Sequence, residues 1–413
     1  MTDMSRARIL IISTGPLCRN PRVFKEASTL GAGGYDVTVL TFTDAGPFEA
    51  YDRELLVNAP FRKIAISLHP DSPLARFSLT AQKGVTWSAR KLVRFGVESP
   101  SALGLAWLLG RRARSIPADL TIVHTELPFC LAAELLTQGR RVAADFEDWH
   151  SRDLLPADRR HRPIRLLMDV ESQVLQKCAY TSTTSHAMAA GLHAAYGGSR
   201  PVVLSNSFPL PPPPPPRPAG CVPAFFWYSQ TIGPGRGIEE FIAAWIQTTR
   251  PSRLCLLGQI TEDYRHSLLG LLPAAWHDRL QLLPFVSPAE LTGCIARHDL
   301  GLALEPAEPD NKNLTISNKI FQYFSAGLGV LASDTAGQRE ALARAPGAGL
   351  IVPLSRTREL ANLLDSLIAD PACIATMGAA ARRAAETTYC WEMDEPRLLA
   401  AVATALQSPS PGK

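Results

Sequence analysis

Short apolar runs alternate with amphipathic stretches along almost the whole chain. In the first half the runs are Ile9–Ser13, Val37–Phe42, Lys63–Leu68, Leu120–His124, Val142–Phe146, Tyr180–Ser185 and Val202–Leu204. In the second they are Phe225–Ser229, Arg253–Leu257, Leu280–Phe285, Leu300–Leu304, Val330–Ser333 and Leu350–Val352. Runs this short predict parallel strands covered by helices on both faces. Between the first two, the segment from Pro21 to Leu30 predicts a helix. Proline suits its first position, and Gly31 with Gly33–Gly34 ends it. The alternation predicts an α/β chain of two Rossmann-like, doubly wound domains whose strand carboxyl ends face a shared cleft.

The boundary falls at Pro209 to Pro218, PLPPPPPPRP, because a polyproline run neither joins a sheet nor continues a helix. The expected domains are a first Rossmann-like domain at 1–206, a Pro-rich linker at 207–219, and a second Rossmann-like domain at 220–388. Residues 389–413 are expected to form a last helix and tail that pack back toward the first domain. The Ser- and Pro-rich residues from Gln407 to Lys413 are expected to fray.

At 413 residues the chain is too long for a single core, and 46% hydrophobic with 19% charged residues excludes extended disorder. The net charge of +4 is too small to imply nucleic-acid binding, and none is expected. The charge is unevenly spread. Between Arg76 and Arg114 lie eight basic residues and one acid, Glu98, a local charge of +7. With Trp87, Phe95 and Trp107 among them, residues 76–114 suit an anionic membrane surface; a solvated helical face is the alternative. The eight cysteines are scattered singly and read as reduced thiols in cytosol. The nine histidines form no HxxxH or HExxH pair, so no metal site is expected. The start, MTDMSRARILIIST, has too short an apolar run for a signal peptide, and no 18-residue apolar run occurs. A cytoplasmic protein is expected, resting on the inner face of the plasma membrane if the basic stretch binds lipid.

Three strand-to-helix turns in the second half carry candidate chemistry. Ser229 to Gly237, SQTIGPGRG, offers Gln230, Thr231, Gly233 and Gly235 for close backbone approach and Arg236 for phosphate oxygens. A plain β-α turn with a surface arginine is an equal alternative. Next, Glu305 ends a strand, and a polar loop leads to a helix expected to be capped by Ser317. Asn318, Lys319 and Gln322 fall in its first two turns, suited to a diphosphate and a ribose; an ordinary solvated helix face is the commoner alternative. A lysine there opposes the helix dipole unless an anion is bound. Third, Asp334 to Glu340 contributes Thr335 and Gly337, with a plain turn equally open. In the first half, Gly15, Asn20 and Arg22 follow the first strand, His124 ends another, and Glu147 and Asp148 follow a third.

Together these features resemble the retaining glycosyltransferases of family 4, which have the GT-B fold. The resemblance runs from Asn20-Pro21-Arg22-Val23 through Gly33-Gly34-Tyr35-Asp36-Val37, Asp119-Leu120 to His124 and Asp145. It resumes with Gly235-Arg236-Gly237, Leu257-Gly258, Asp299 to Leu302, Asn318-Lys319 to Gly327 and Gly349 to Pro353. It implies that Arg236 binds the donor diphosphate with Lys319, that His124 contacts sugar or acceptor, and that Glu147 and Asp148 position the acceptor hydroxyl. It also implies a metal-independent enzyme without a cofactor, moving sugar from a nucleotide-sugar donor to a glycan or lipid-linked acceptor in envelope polysaccharide synthesis. Departures from the family stand at Gln230, where a second basic residue is usual, and at Leu314 and Gln322, where acids are usual. Gly329 replaces a usual proline. A non-catalytic sugar-nucleotide or glycan-binding protein and a sugar-nucleotide epimerase are the alternatives.

Overall fold

Among the described residues thirteen strands form, one at each apolar run. The computed structural model describes residues 6–408 except 45, 47, 214 and 216–220. β1 to β7 are Arg8–Ile12, Asp36–Thr43, Arg62–Ser67, Leu120–His124, Val142–Phe146, Thr181–Thr183 and Val202–Val203. They make one sheet in the order β3-β2-β1-β4-β5-β6-β7. β8 to β13 are Ala224–Ile232, Arg253–Ile260, Leu280–Leu283, Leu300–Ala303, Gly329–Ala332 and Gly349–Ile351. They make a second, in the order β10-β9-β8-β11-β12-β13. All pairings are parallel, and both sheets carry helical crossovers, so each is a doubly wound Rossmann-like unit. In each order the sequence reverses beside a central strand, between β1 and β4 and between β8 and β11.

Strands with both faces buried explain the continuous apolar runs. On β8, Phe225 and Trp227 enter one core with Trp245, Leu256 and Leu364. Phe226, between them, enters the opposite core with Tyr323, Phe324 and Ala381. The period of two thus assigns alternate residues to two cores. Two departures from expectation occur. β8 and β9 run on past their apolar parts, through a register shift between Tyr228 and Thr231, so Ser229, Gln230 and Thr231 are strand residues rather than turn residues. The loop after Leu304 also holds a short helix, Asp310–Leu314.

The first compact unit comprises Met1–Leu204 with Asp394–Lys413, the second Ser205–Met393. The helix Trp391–Gln407 therefore begins in the second and ends in the first. There Thr29 Oγ1 donates to Glu395 Oε1 at 2.9 Å. In the second unit, Arg382 Nη2 donates to Pro211 O at 2.9 Å, and Leu210 N donates to Glu392. The rest of the proline run, 214 and 216–218, lies outside the described residues, as do linker residue 219, start residues 1–5 and tail residues 409–413. Among the described residues no single helix is long and apolar enough to cross a membrane.

Gly301 on β11 marks the tightest helix–sheet contact. A Cβ built there would lie 2.3 Å from the Tyr323 ring, whose hydroxyl donates to Phe226 O and Leu302 O. Gly301→Ala is expected to destabilise the protein by about 1–3 kcal/mol through overpacking, read as a lower urea midpoint with an unchanged m-value.

Candidate functional site

The carboxyl edge of the second sheet gathers the cations singled out in the sequence. Gly237 sits in the left-handed region (φ 73°) at the start of the Ile238–Trp245 helix, which has no side-chain cap. A Cβ there would lie 2.8 Å from Leu304 Cβ, so the turn lies against the residue before Glu305. Gly233 and Gly235 have open space where a Cβ would be, and Gly235 also has positive φ. Arg236, half-buried, donates from Nη1 to Ser229 Oγ at 3.3 Å. Gln230 and Thr231 are exposed on β8.

Glu305, at the end of β11, is held from several sides. Lys319 Nζ donates to its Oε1 at 2.6 Å, Ser317 Oγ to the same atom at 3.1 Å, and Lys312 Nζ lies 3.9 Å from Oε2. Ser333 Oγ donates to the Glu305 carbonyl at 2.5 Å. Burial pushes this carboxyl up, but the two ammonium groups and the hydrogen bonds outweigh it and leave its pKa at about 2. Lys319 Nζ also lies 5.4 Å from the centroid of Trp227, two residues before Ser229 on β8. Arg236 and Lys319 thus both come to the Trp227–Ser229 stretch of β8. Asn318 is exposed and Gln322 half-buried beside them on the Asn318–Ser325 helix.

Two expectations for this edge are corrected. Ser317 does not cap the Asn318–Ser325 helix; its hydroxyl goes to the stronger, charged acceptor, Glu305. That leaves the helix start without a side-chain cap. The third turn is occupied by the protein itself. Thr335, buried, caps the Ala336–Ala343 helix through Gln338 N, and Asn313 Oδ1 accepts from Ala336 N. Gly337 is glycine because a Cβ would meet Thr315 O at 2.4 Å. Thr335 and Gly337 therefore serve the packing of this turn and do not present donor-binding side chains.

In the first unit, Arg22, His124 and Asn20 are paired within the fold. Arg22 and Asp145, each 1% exposed, form a bidentate pair, Nε to Oδ1 at 3.0 Å and Nη2 to Oδ2 at 2.7 Å. Arg22 Nη1 also donates to Leu204 O, and Ser182 Oγ donates to Asp145 Oδ2. Arg22 is thus a core group. His124, expected to contact sugar or acceptor, is likewise buried and paired. It is 1% exposed, with Nε2 2.5 Å from Glu26 Oε2. Burial lowers its pKa, and the Glu26 carboxylate more than restores it, so the shift is upward. Asn20 caps the Pro21–Ala32 helix, Oδ1 accepting from Val23 N, and its Nδ2 donates to Ser13 Oγ. Gly15 has open space in front of it and donates its amide to Thr41 Oγ1. Asp148 is exposed; Glu147 is half-buried, its pKa raised by burial.

The sequence reading missed residues at the reversal point of this sheet. Thr125, just after β4, has φ 65°, the one positive value among described non-glycine residues. Its Oγ1 lies 2.9 Å from Thr14 Oγ1, just after β1. A β-branched residue in that region is strained, which marks positions under functional or packing demand. No residue type signals such strain, although the rule that ligands meet open sheets at strand-order reversals points to the place. Nearby, Glu126, His150 and Asp153 bring potential metal-ligand atoms within 4.8 Å of one another. No sequence spacing reveals this trio, because Glu126 begins the Glu126–Thr137 helix while His150 and Asp153 follow β5, more than twenty positions on. Its carboxylates are bridged by Arg162, which donates to Glu126 Oε1 at 3.0 Å and Asp153 Oδ2 at 3.2 Å. A guanidinium thus stands where a metal would bind, and burial lowers the His150 pKa to about 4.

The two sheets with their flanking helices form the GT-B fold of solved glycosyltransferases. HepE of Anabaena, solved with UDP and glucose, superimposes with a TM-score of 0.67 at 15% identity, covering 97% of this chain and 100% of that one. Sucrose-phosphate synthase of Thermosynechococcus elongatus gives 0.70 at 17% identity over 96% and 98%. A TarM variant of S. aureus, solved with fondaparinux, α-GlcNAc-glycerol and UDP, gives 0.69 at 8% identity over 97% and 100%. At such identities the likeness establishes the fold. In sequence, residues 239–395 match the family model described as Glycosyl transferase-like. No curated protein matches the sequence.

The Glu305–Lys319 pair makes a pH-dependent contribution. The folded pKa of Glu305 lies below its ordinary 4.5, so the stabilisation is fully present above that value and is lost as pH falls toward about 2. Lys319→Met, which leaves the carboxylate poorly compensated, is expected to cost about 3–5 kcal/mol at neutral pH. In urea titrations the gap from wild type should narrow steadily as the buffer is acidified below pH ~4.5. A gap independent of pH would show that the pair does not hold Glu305 down.

Proposed function

We propose that this protein is a glycosyltransferase that moves a sugar from a nucleoside diphosphate donor to a hydroxyl of a glycan or lipid-linked acceptor. The observation that carries this reading is the pairing of two cations with two helix starts lacking side-chain caps. Arg236 precedes the Ile238–Trp245 helix, and Lys319 lies in the first turn of the Asn318–Ser325 helix. Free amides, a guanidinium and an ammonium are suited to a pyrophosphate. The glycosyl transferase-like match over residues 239–395 contains Lys319 and lies next to Arg236, and two of the similar structures contain UDP.

In this mechanism the bond between the anomeric carbon and the diphosphate oxygen breaks, and negative charge builds on that oxygen. Arg236 and Lys319 stabilise it electrostatically, so the departing diphosphate needs neither a metal nor a cofactor. The sugar passes through an oxocarbenium-like state. An acceptor hydroxyl attacks from the face the diphosphate leaves, its proton passing to the departing phosphate, and the anomeric configuration is retained. Gln230, Asn318 and Gln322 are neutral hydrogen-bonding partners for ribose and base. Gly15, Glu147 and Asp148 are the acceptor-side residues that keep their role in this reading. The enzyme would act in the cytoplasm, in envelope polysaccharide synthesis. Neutral Gln322, where related enzymes carry an acid, favours a second reading as a non-catalytic nucleotide-sugar-binding protein.

Transfer is followed by NMR with UDP-sugars and a panel of glycan acceptors, and UDP binding by calorimetry. Arg236→Ala is expected to lower kcat/KM by about 10²–10³, the usual loss when one oxyanion partner is removed. The product anomeric coupling should match that of the donor. UDP binding without turnover of any donor would favour the binding-protein reading. UDP binding unaffected by both Arg236→Ala and the Glu305→Gln/Lys319→Met pair would overturn the site.

A further inference from the structure

The helix Pro73–Val93 is poorly explained by packing. It is 21 residues long, yet buries only Leu79, Ala89 and Val93. The latter two meet Ala102 in a small separate cluster. Three stripes run along it at helical spacing. One is this buried face. A second is apolar but exposed and carries Leu74, Phe77, Val85 and Leu92, with Leu74 78% and Phe77 75% exposed. Ala81, Gly84 and Ser88 continue that stripe and, with Val97 and Ser99 opposite, line an open groove of about 510 Å³.

The third stripe is basic. Arg76, Lys83, Arg90 and Lys91 lie along the helix and Arg94 follows it, and no acid occurs from residue 72 to residue 97. Aromatic rings stand among these cations. Lys91 Nζ is 3.6 Å from the Trp87 ring centroid, and the Arg94 guanidinium is 5.0 Å from that of Phe95. On the Ala106–Arg114 helix, Arg111 lies 5.3 Å from the ring of exposed Trp107.

We propose that this face docks on an anionic lipid bilayer, with the apolar stripe at the acyl boundary and the cations among the headgroup phosphates. Charge decides the occupant. A second copy of the same face would bring five cations against five, whereas an anionic bilayer offers negative charge and apolar depth together. Amphipathic rings such as Trp87 and Trp107 suit the headgroup level between the two.

The test uses the full chain and sedimentation with vesicles of phosphatidylcholine alone or with phosphatidylglycerol. The wild type should sediment with the anionic vesicles and not the neutral ones, and added salt should release it. Lys83→Gln/Lys91→Gln should bind roughly thirtyfold more weakly, each cation near an anionic surface being worth about fivefold. Leu74→Ser/Phe77→Ser should lose about tenfold or more through its apolar contact. Both variants should melt and bind UDP as the wild type does. Equal binding to both vesicle types, or variants that bind like wild type, would overturn the proposal. So would a dimer in light scattering that Leu74→Ser/Phe77→Ser dissolves while vesicle binding is absent. UDP binding is read separately, so failure of the transferase reading would leave the vesicle result standing.

Discussion

A single carboxylate organises the carboxyl edge of the second sheet. Glu305 receives Lys319, Ser317 and, at longer range, Lys312, while its carbonyl receives Ser333. These partners come from the loop helix, the following helix and the end of β12, so one residue ties three segments to the end of β11. Burial alone would push the carboxyl toward neutrality, and the ammonium groups with the hydrogen bonds from Lys319 and Ser317 keep it ionised. The same contact recruits Ser317 away from capping. Donating to that carboxylate orients the Ser317 side chain toward Glu305, and its oxygen accepts from no amide at the helix start.

The first sheet shows the opposite solution with similar residue types. His124 and Asp145 lie in the last residues of β4 and β5, where a ligand site is expected, yet both are buried and paired with Glu26 and Arg22 of the Pro21–Ala32 helix. A buried pair of this kind adds little net stability over apolar packing, but removing one member is costly. The polar groups that remain accessible are loop residues: Thr14, Gly15, Asp148 and the strained Thr125.

The contrast explains what was legible. Central strands such as β1, β4 and β11 could be read because a strand buried on both faces is apolar throughout, and that is a local property. The cations Arg236 and Lys319 were legible because glycine turns and helix starts leave local marks. The extension of β8 through Ser229 to Thr231 was not, since it depends on pairing with Gln259 and Ile260. Nor was the fate of Arg22, whose partner lies 123 positions away. A polar residue after a strand reads alike whether it faces a ligand or a distant counter-ion; only the fold decides. The Arg162 bridge between Glu126 and Asp153 was hidden for the same reason.

The Glu305–Lys319 contact also bears on which anions the edge can hold. A ligand phosphate that approaches Lys319 must share it with a carboxylate already 2.6 Å away. A monoanion would gain one ammonium contact at the cost of crowding Glu305, and like charges in a poorly solvated place repel strongly. A diphosphate spans further. Under the transferase reading one phosphate would engage Arg236, whose own hydrogen bond goes to the neutral Ser229 hydroxyl, and the amides at Ile238. The other takes the amides of the Asn318–Ser325 helix and only part of the Lys319 charge. Under the transferase reading, Glu305 thus sets a threshold that two phosphates pass more readily than one, and it limits how tightly the diphosphate product is retained after the sugar has left.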